Sequence, residues 1–251
     1  MRYKSDENYS HGDERKIGVL LVNLGTPNAP TTSAVRKFLS EFLSDPRIIE
    51  IPKIMWWFIL NLIILNIRPK KSKELYKKIW MENGSPLLVI SKEILKKIQN
   101  LNKDFNKKSV VFNLAMRYGN PSIKKALNDF KNQNINKLLV VPMFPQYSAA
   151  TTASIFDKFS DEIKLWRNIP DIRFLSSYHD NPHYISACAN RITDFWSKKL
   201  KSQKLIFSFH GLPQVNLHKG DPYHCYCHIT ARLIAEKLKI PSTIQITTRL
   251  Q

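Results

Sequence analysis

A histidine follows a short apolar segment near the end of the chain. The segment KLIFSFHGLPQ spans Lys204 to Gln214, and His210 stands between its apolar residues and the turn residues Gly211 and Pro213. Such a run predicts a central strand of a parallel sheet, and ligands bind at the carboxyl ends of these strands. A neutral imidazole at this position can accept protons or bind a divalent metal. The alternative is a hydrogen-bonded histidine at a strand–loop junction.

Three further polar and aromatic motifs follow predicted strands: NLGTP (Asn23–Pro27), MRYGNP (Met116–Pro121) and PMFPQYSAATT (Pro142–Thr152). Because the carboxyl ends of parallel strands meet at one edge of a sheet, the four motifs predict one crevice. The residues expected to line it are Leu24, Arg117, Tyr118, Phe144, Tyr147 and His210. An aromatic pocket with one base and one cation suits a flat, apolar, anionic ligand.

The charge balance favours anionic partners. The 251 residues include 39 Lys and Arg but only 20 Asp and Glu, which gives a net charge of +19. Nucleic acid, an anionic membrane surface and a carboxylate-bearing substrate all fit this charge. The basic residues are scattered and no known nucleic-acid-binding motif is present, which argues against nucleic acid. The chain also lacks GxGxxG, Walker, HExxH and GxSxG motifs, so nucleotide binding and hydrolysis lose their usual support.

The cysteines and the N-terminus indicate a cytoplasmic protein. Cys188, Cys225 and Cys227 are too few for a disulfide framework, which favours a reducing compartment. The N-terminal residues are polar and include acidic side chains, unlike a signal or transit peptide. Residues 1–15 are expected to form a disordered tail.

Strands and helices alternate along the rest of the chain. The predicted strands are Lys16–Gly25, Ser109–Met116, Lys137–Phe144, Ile172–Ser176, the segment ending at His210, and Thr243–Thr248. The predicted helices are Thr32–Leu43, Lys73–Trp80, Leu87–Leu101, Ser122–Asn132, Ser154–Asn168, Pro182–Leu200 and Asp221–Leu238. This order predicts an α/β fold with parallel sheets. The expected domains are 16–177, with a four-stranded sheet, and 178–251, whose two strands leave its sheet incomplete.

An apolar segment, IMWWFILNLIILNI, covers Ile54 to Ile67. Its fourteen residues are fewer than the roughly 20 that a bilayer-spanning helix needs. Two arrangements stay open: a buried core helix, or an exposed apolar lip at the mouth of the pocket. In the second, Trp56, Trp57 and Phe58 would make peripheral contact with the inner face of the membrane.

Seven motifs stand in order along the chain: LVNLGTP, FLSDPR (Phe42–Arg47), GSPL (Gly84–Leu87), RYGNP, PQYSAATT, SFHGLP and KGDPYHC. Their order and spacing, from about Lys16 to about Lys239, resemble those of the ferrochelatases, the terminal enzymes of heme synthesis. The resemblance implies two similar Rossmann-like domains of the chelatase type, each with a parallel four-stranded sheet flanked by helices, around a porphyrin cleft. It implies insertion of Fe²⁺, the substrate metal, into protoporphyrin or coproporphyrin, with no cofactor required.

The resemblance also implies roles for individual residues. His210, which matches the histidine of the family's S-x-H-x-L-P motif, would take pyrrole protons, bind the entering iron, or both. Arg68 can pair with a propionate carboxylate, although a solvated basic helix face would look the same. With the pocket residues included, the expected porphyrin-binding set is Leu24, Arg68, Tyr76, Ser85, Arg117, Tyr118 and Tyr147.

A second group of possible metal ligands lies in HKGDPYHCYCH (His218–His228). His224 and His228 are four residues apart on the predicted helix, with Cys225 and Cys227 between them. A structural zinc site needs about four convergent ligands, and the two cysteines cannot share one helical face. A structural zinc site is therefore disfavoured.

The segment TIQITTRLQ (Thr243–Gln251) begins like the strand that the resemblance implies and then departs from the family. The resemblance implies a later glutamate that faces the motif histidine, and no counterpart follows; neither Asp221 nor Glu236 matches it. A C-terminal cysteine cluster is also missing. The sequence thus predicts a truncated or frameshifted ferrochelatase with little activity and poor solubility. The alternatives are an inactive porphyrin-binding remnant and a chelatase for another tetrapyrrole that uses cobalt or nickel.

Overall fold

The computed structural model describes residue 3 and residues 15–104, 109–198 and 205–239. The chain divides into two compact units: unit 1 comprises Met1–Met143 and Ala150–Leu175, and unit 2 comprises Phe144–Ala149 and Ser176–Gln251. The domain boundaries predicted from the sequence, 16–177 and 178–251, stay a prediction. The expected N-terminal tail, 1–15, lies almost entirely outside the described residues.

The sheet of unit 1 has four strands, all parallel to their neighbours, in the order β2-β1-β3-β4. They are β1 (Lys16–Thr26), β2 (Val110–Gly119), β3 (Ile135–Pro142) and β4 (Asp171–Phe174). The four strands predicted for the first domain are confirmed, and so is the α/β class.

The helices of unit 1 are α1 (Thr32–Leu43), α2 (Lys53–Phe58), α3 (Leu65–Ile79), α4 (Pro86–Asp104), α5 (Ile123–Lys131) and α6 (Ser154–Ile163). Two π-helical segments, π1 (Ile59–Ile64) and π2 (Ala149–Ala153), precede α3 and α6. The predicted bounds of α1 are confirmed at both ends, because Thr31 caps it by accepting a hydrogen bond from the Ala34 amide.

Helices cover both faces of the sheet, which explains why β1 is almost continuously apolar. Leu21 of β1 packs with side chains of α4 on one face. Gly18 is an odd number of residues away, so it faces the other side, where Phe130 of α5 lies against it. Leu20 and Val22 are fully buried on that second face.

The apolar segment folds as α2, π1 and the start of α3, in one continuous helical stretch. Its two asparagines serve the backbone of the widened turns: the Asn61 amide donates to the Trp57 carbonyl at 2.8 Å, and the Asn66 amide to the Leu62 carbonyl at 2.9 Å. The charged helix predicted to begin at Lys73 therefore begins earlier, at Leu65. None of the helices in the described part of the chain is long and apolar enough to cross a bilayer.

The described part of unit 2 is helical. It contains α7 (Pro182–Lys198), α8 (Gln214–His218) and α9 (Tyr223–Lys237), and α7 packs against α9. Helix α9 begins two residues after Asp221, whose Oδ1 accepts a hydrogen bond from the Tyr223 amide at 3.0 Å. The predicted helix starts at Asp221, two residues before α9 begins, and Pro222 is the N-cap residue.

The prediction of a strand that ends at His210 is wrong for the described part of the segment, Leu205–His210. Leu205–His210 pairs with no other described segment, and its side chains alternate between half-buried and exposed. A strand needs hydrogen bonds to a neighbouring strand, and an apolar run alone does not supply them. The other strand predicted for this domain, Thr243–Thr248, lies outside the described residues.

Candidate active site

The carboxyl ends of β1 and β2 lie side by side in unit 1. Gly25 pairs with Tyr118, and its φ of +115° is one that a side chain rarely allows. A Cβ at Gly25 would lie 1.9 Å from the Tyr118 carbonyl oxygen. Only glycine fits here, so the NLGTP and RYGNP motifs are held together by the close approach of their backbones. Leu24, beside this contact, is half-buried against the core cluster that includes Phe38.

A buried polar network surrounds Arg117 and Tyr118, centred on the carboxylate of Asp45. Its Oδ2 accepts hydrogen bonds from Arg117 Nη2, from the Tyr118 hydroxyl at 2.7 Å and from the Ser154 hydroxyl at 2.6 Å. Its Oδ1 accepts one from the Arg47 amide at 2.8 Å. The Asp45 side chain is 3% exposed. A buried carboxylate is stable only when it is paired in this way.

The network sets the charge state of its members. Burial alone would raise the pKa of Asp45, but hydrogen bonds from Ser154, Tyr118 and the Arg47 amide, with the charge of Arg117, hold it below its ordinary value. Burial raises the pKa of Tyr118 far above its ordinary value, so this tyrosine stays neutral. Asp45 and Arg117 therefore form a charged pair inside unit 1.

Arg117 and Tyr118, both predicted to contact porphyrin, are thus brought together. Arg117 Nε donates to the carbonyl and hydroxyl oxygens of Ser154 at 2.9 and 2.7 Å, and its guanidinium lies 4.4 Å from the centre of the Tyr118 ring. The Tyr118 side chain is fully buried. The known polar contacts of both residues are made inside the protein, so their predicted porphyrin contacts stay a prediction.

Asp45 and Ser154 were missed by sequence reasoning. Asp45 belongs to FLSDPR, one of the quoted motifs, and Ser154 lies two residues after the end of PQYSAATT. Their membership in or beside these motifs was a signal of importance. It did not reveal their partners, because Ser154 lies 109 residues beyond Asp45.

Arg68 and Tyr76 lie together on α3 but in different environments. Arg68 is exposed, and no ion pair found in the described chain involves it. Tyr76 is half-buried against the core cluster, with its ring edge-on to Trp80 at 6.3 Å between centres. Burial raises the pKa of Tyr76, which keeps it neutral. The exposed guanidinium of Arg68 is available to an anionic ligand.

Ser85 has a structural role at the start of α4. Its side chain is buried, and its hydroxyl oxygen accepts a hydrogen bond from the Leu88 amide at 3.3 Å. This is the geometry of a helix N-cap, with Pro86 at the first helical position. The expected porphyrin contact of Ser85 stays a prediction.

The apolar lip, defined as residues 54–67, is mostly solvent-exposed. Trp56 is anchored, because its indole N–H donates to the Leu43 carbonyl at 2.7 Å. Trp57 and Phe58 are 56% and 54% exposed and pack edge-on against each other. Leu60 and Leu65 are buried in the core cluster that includes Phe38, and Trp56 and Ile64 pack against it. The sequence left two arrangements open. Most of the segment is exposed, as expected for a lip, whereas Leu60 and Leu65 are buried, as expected for a core helix.

Unit 2 brings three of the motifs together. Asp221 of KGDPYHC accepts hydrogen bonds from the Ser148 hydroxyl at 3.0 Å and the Ala149 amide at 2.8 Å, both in PQYSAATT. Tyr223 hydrogen-bonds the backbone of His210 in SFHGLP. The loop that carries the half-buried Tyr147 and the loop that carries His210 are therefore both attached to the start of α9.

The His210 side chain is exposed and makes none of the hydrogen bonds found in the described residues. It is free to meet a ligand from solvent. No group of three or more His, Cys, Asp or Glu side chains that could hold a metal ion occurs among residues 15–104, 109–198 and 205–239.

The His/Cys-rich start of α9 does not form a four-ligand site. Cys227 is buried, and burial raises its thiol pKa to about 11, whereas Cys225 is exposed on another side of the helix. His224 and His228 are close, with their Nε2 atoms 3.0 Å apart. The two cysteines therefore differ in exposure and lie on different sides of α9.

Comparison with known proteins gives one consistent answer. The ferrochelatase family profile matches residues 16–249. The chain is 48% identical over 248 residues to a ferrochelatase of Marinobacter nauticus and covers 67% of that protein. It is 52% identical over 229 residues to ferrochelatase 2 of Shewanella oneidensis and covers 69% of that protein. It is 49% identical over 240 residues to a ferrochelatase of Aromatoleum aromaticum and covers 66% of that protein. The chain thus spans about two thirds of the length of these relatives, which in turn match 99%, 91% and 96% of the chain.

Proposed function

The chain belongs to the ferrochelatase family, and on this premise we propose that it inserts Fe²⁺ into protoporphyrin IX or coproporphyrin, at the last stage of heme synthesis. The observation that carries the proposal is the family match, which extends over residues 16–249 and includes every motif expected to form the site. Iron remains Fe²⁺ throughout, two pyrrole N–H protons leave the porphyrin, and no redox partner is needed. The metal is a substrate.

His210 is the proposed residue on the metal side of the porphyrin. Its exposed imidazole, held on a loop whose backbone is fixed by Tyr223, can accept a pyrrole proton or bind the entering cation. A positioned base typically contributes about 10²–10⁴-fold to a rate. Loss of the imidazole should therefore reduce insertion far more than porphyrin binding.

Porphyrin binding is assigned to the residues of unit 1 and to Tyr147. Arg68 has an exposed guanidinium that can pair with a propionate through two parallel hydrogen bonds. Leu24 and Tyr76 offer half-buried apolar surface for the macrocycle. Arg117, Tyr118 and Ser85 contribute through the backbone geometry they hold, since their polar atoms are engaged inside the protein.

A peripheral membrane contact fits the apolar lip. Trp57 and Phe58 are more than half exposed, and Lys53, Arg68 and Lys70 flank the segment. Aromatic rings beside basic side chains bind the headgroup region of anionic bilayers. A flat, poorly soluble porphyrin could then enter or leave at the membrane surface. All three cysteines are free, which supports a reducing, cytoplasmic location.

Anaerobic mixing of the protein with porphyrin and Fe²⁺ tests the proposal. The Soret and visible bands of free porphyrin should convert to those of heme faster than in a protein-free control. Arg68→Ala should raise KM for porphyrin with a smaller change in kcat, and Arg36→Ala, another basic substitution on a helix of unit 1, is the matched control. A rate equal to the protein-free rate would exclude the proposal and would agree instead with the low activity expected from the sequence.

Porphyrin binding without insertion is the second candidate. It is favoured by one observation, that the described part of the chain contains no group of three or more His, Cys, Asp or Glu side chains that could hold a metal ion. Quenching of porphyrin fluorescence would then occur at micromolar concentration while no heme forms. Co²⁺ and Ni²⁺ offered in place of Fe²⁺ in the same experiment distinguish a chelatase for another metal from an inactive protein.

A further inference from the structure

The first two turns of α9 place two imidazoles against each other. His224 and His228 are one helical turn apart, their ring centres are 4.4 Å apart, and their Nε2 atoms are 3.0 Å apart. Both side chains are half-buried, so solvent reaches them. The ferrochelatase reaction as assigned to His210 uses neither residue.

The contact has two chemical explanations. In the first, one Nε2 carries a proton and donates it to the other. In the second, both Nε2 lone pairs point at one shared cation, and each ring carries its proton on Nδ1. The two states differ only in the tautomer of one ring, so a cation can replace the shared proton without any change in backbone.

The separation of the nitrogens favours particular metals. With metal–nitrogen bonds of about 2.05 Å, a separation of 3.0 Å subtends roughly 94° at the metal. A tetrahedral ion would need an angle of roughly 109° and nitrogens about 3.3 Å apart. An angle near 90° matches neighbouring positions of a square-planar or tetragonal site, the geometry of Cu²⁺ and Ni²⁺ with nitrogen ligands.

We propose that His224 and His228 form a two-imidazole site for a divalent cation with tetragonal geometry, Ni²⁺ or Cu²⁺, whose remaining positions hold water. Such a cation would also clamp the start of α9, because both ligands lie in its first two turns. Asp221 and Tyr223, which carry the PQYSAATT and SFHGLP loops, lie next to this clamp. The site is independent of the proposed iron insertion.

The test is the binding of Ni²⁺ to the untagged chain, measured by calorimetry and by the shift in the midpoint of thermal unfolding. Wild-type protein should bind one Ni²⁺ at this site and unfold at a higher temperature when Ni²⁺ is saturating. His224→Asn and His228→Asn should each weaken binding more than about tenfold, and the double variant should be no weaker than either single one. His218→Asn, which changes an exposed histidine on α8, is the matched control and should leave binding unchanged.

Binding that survives both single substitutions, or equal losses in His218→Asn, would overturn the site. A Cu²⁺ spectrum tests the site in protein that keeps both histidines, so the result does not depend on histidine variants that fail to fold. Electron paramagnetic resonance of Cu²⁺ bound to otherwise unchanged protein should show hyperfine splitting from two nitrogens. Cys225→Ser is used for this measurement, because the exposed thiol would reduce Cu²⁺. A spectrum without nitrogen splitting would mean that the imidazoles are joined by a hydrogen bond alone.

Discussion

At the scale of single residues, the carboxylate of Asp45 holds the RYGNP motif in place. It receives hydrogen bonds from Arg117 and Tyr118, adjacent residues of β2, and from Ser154 at the start of α6. Each partner loses its charge complement or its acceptor when the carboxylate is removed. The network therefore behaves as a unit, and its loss should lower the stability of the protein more than it changes the proposed reaction.

Substitution of Asp45 by Asn should lower the free energy of unfolding by about 3 kcal/mol or more, because it leaves the buried Arg117 charge uncompensated. Urea denaturation measures this change. Asp157→Asn is the control: it breaks the ion pair with Arg47, whose two side chains are each 43% exposed, and should cost less than about 1 kcal/mol. Equal effects of the two substitutions would show that the buried network contributes no special stability.

The pH dependence of stability follows from the same carboxylate. The pKa of Asp45 is lower in the folded protein than its ordinary value of 3.8. A depressed pKa contributes stability that is present above the unfolded value and is lost as pH falls through the folded value. Wild-type protein should therefore lose stability below pH 3.8 more steeply than Asp45→Asn does. Parallel curves for the two proteins in acid denaturation would contradict this assignment.

At the scale of elements, the junction of β1 and β2 depends on one glycine. Gly25→Ala should destabilise the protein by more than about 3 kcal/mol, since the new Cβ meets the Tyr118 carbonyl and the backbone has a positive φ. Gly18→Ala on the same strand is the comparison, because its Cβ meets side-chain atoms and no backbone: Leu138 at 3.0 Å, Ile135 at 3.1 Å and Phe130 at 3.4 Å. Its cost should be nearer about 1 kcal/mol. Thermal unfolding of both variants measures the difference.

Most elements of unit 1 could be predicted from the sequence because their signals are local. Helix α1 has an N-cap threonine and an amphipathic repeat, and β1 is a continuous apolar run between polar residues. The prediction of a strand at Leu205–His210 was wrong. It was based on the apolar side chains of the segment, but a strand also needs hydrogen bonds to a neighbouring strand. The hydrogen bonds of Asp45 could not be predicted, since they join residues 72 to 109 positions apart.

The apolar lip gives a second prediction at this scale. Trp57→Ser should change stability by less than about 0.5 kcal/mol, because its ring packs on the protein surface, and it should weaken sedimentation with anionic vesicles. Trp56→Phe should do the reverse, since it removes the hydrogen bond to Leu43 at a cost of about 1–3 kcal/mol and leaves Trp57 in place. Loss of vesicle binding in Trp56→Phe alone would refute the exposed-lip assignment.

At the scale of the whole molecule, the net charge of +19 should strengthen the binding of the apolar lip to an anionic membrane surface. Long-range attraction to an anionic surface is screened within about 8 Å at physiological ionic strength, so vesicle binding should weaken strongly as salt is raised. Binding that persists unchanged in about 1 M salt would mean that apolar insertion dominates. No binding at low salt would remove the membrane surface from the proposed function.

Each unit supplies a different part of the proposed reaction. Unit 1 contains the exposed Arg68, which is proposed to bind a propionate, and unit 2 contains the exposed His210, which is proposed to act on the metal side. Binding and insertion should therefore respond separately to substitutions in the two units. Arg68→Ala is expected to affect affinity for porphyrin, and substitutions at His210 are expected to affect the chemical step.

The rate of Fe²⁺ insertion by His210→Ala, measured anaerobically at saturating porphyrin beside wild type and His218→Asn, tests the central claim most directly. Wild type and His218→Asn should form heme at the same rate, above the protein-free rate. His210→Ala should be slower by about 10²-fold or more while it quenches porphyrin fluorescence as well as wild type does. Insertion by His210→Ala at the wild-type rate would contradict the account and would place the metal-side chemistry on another residue.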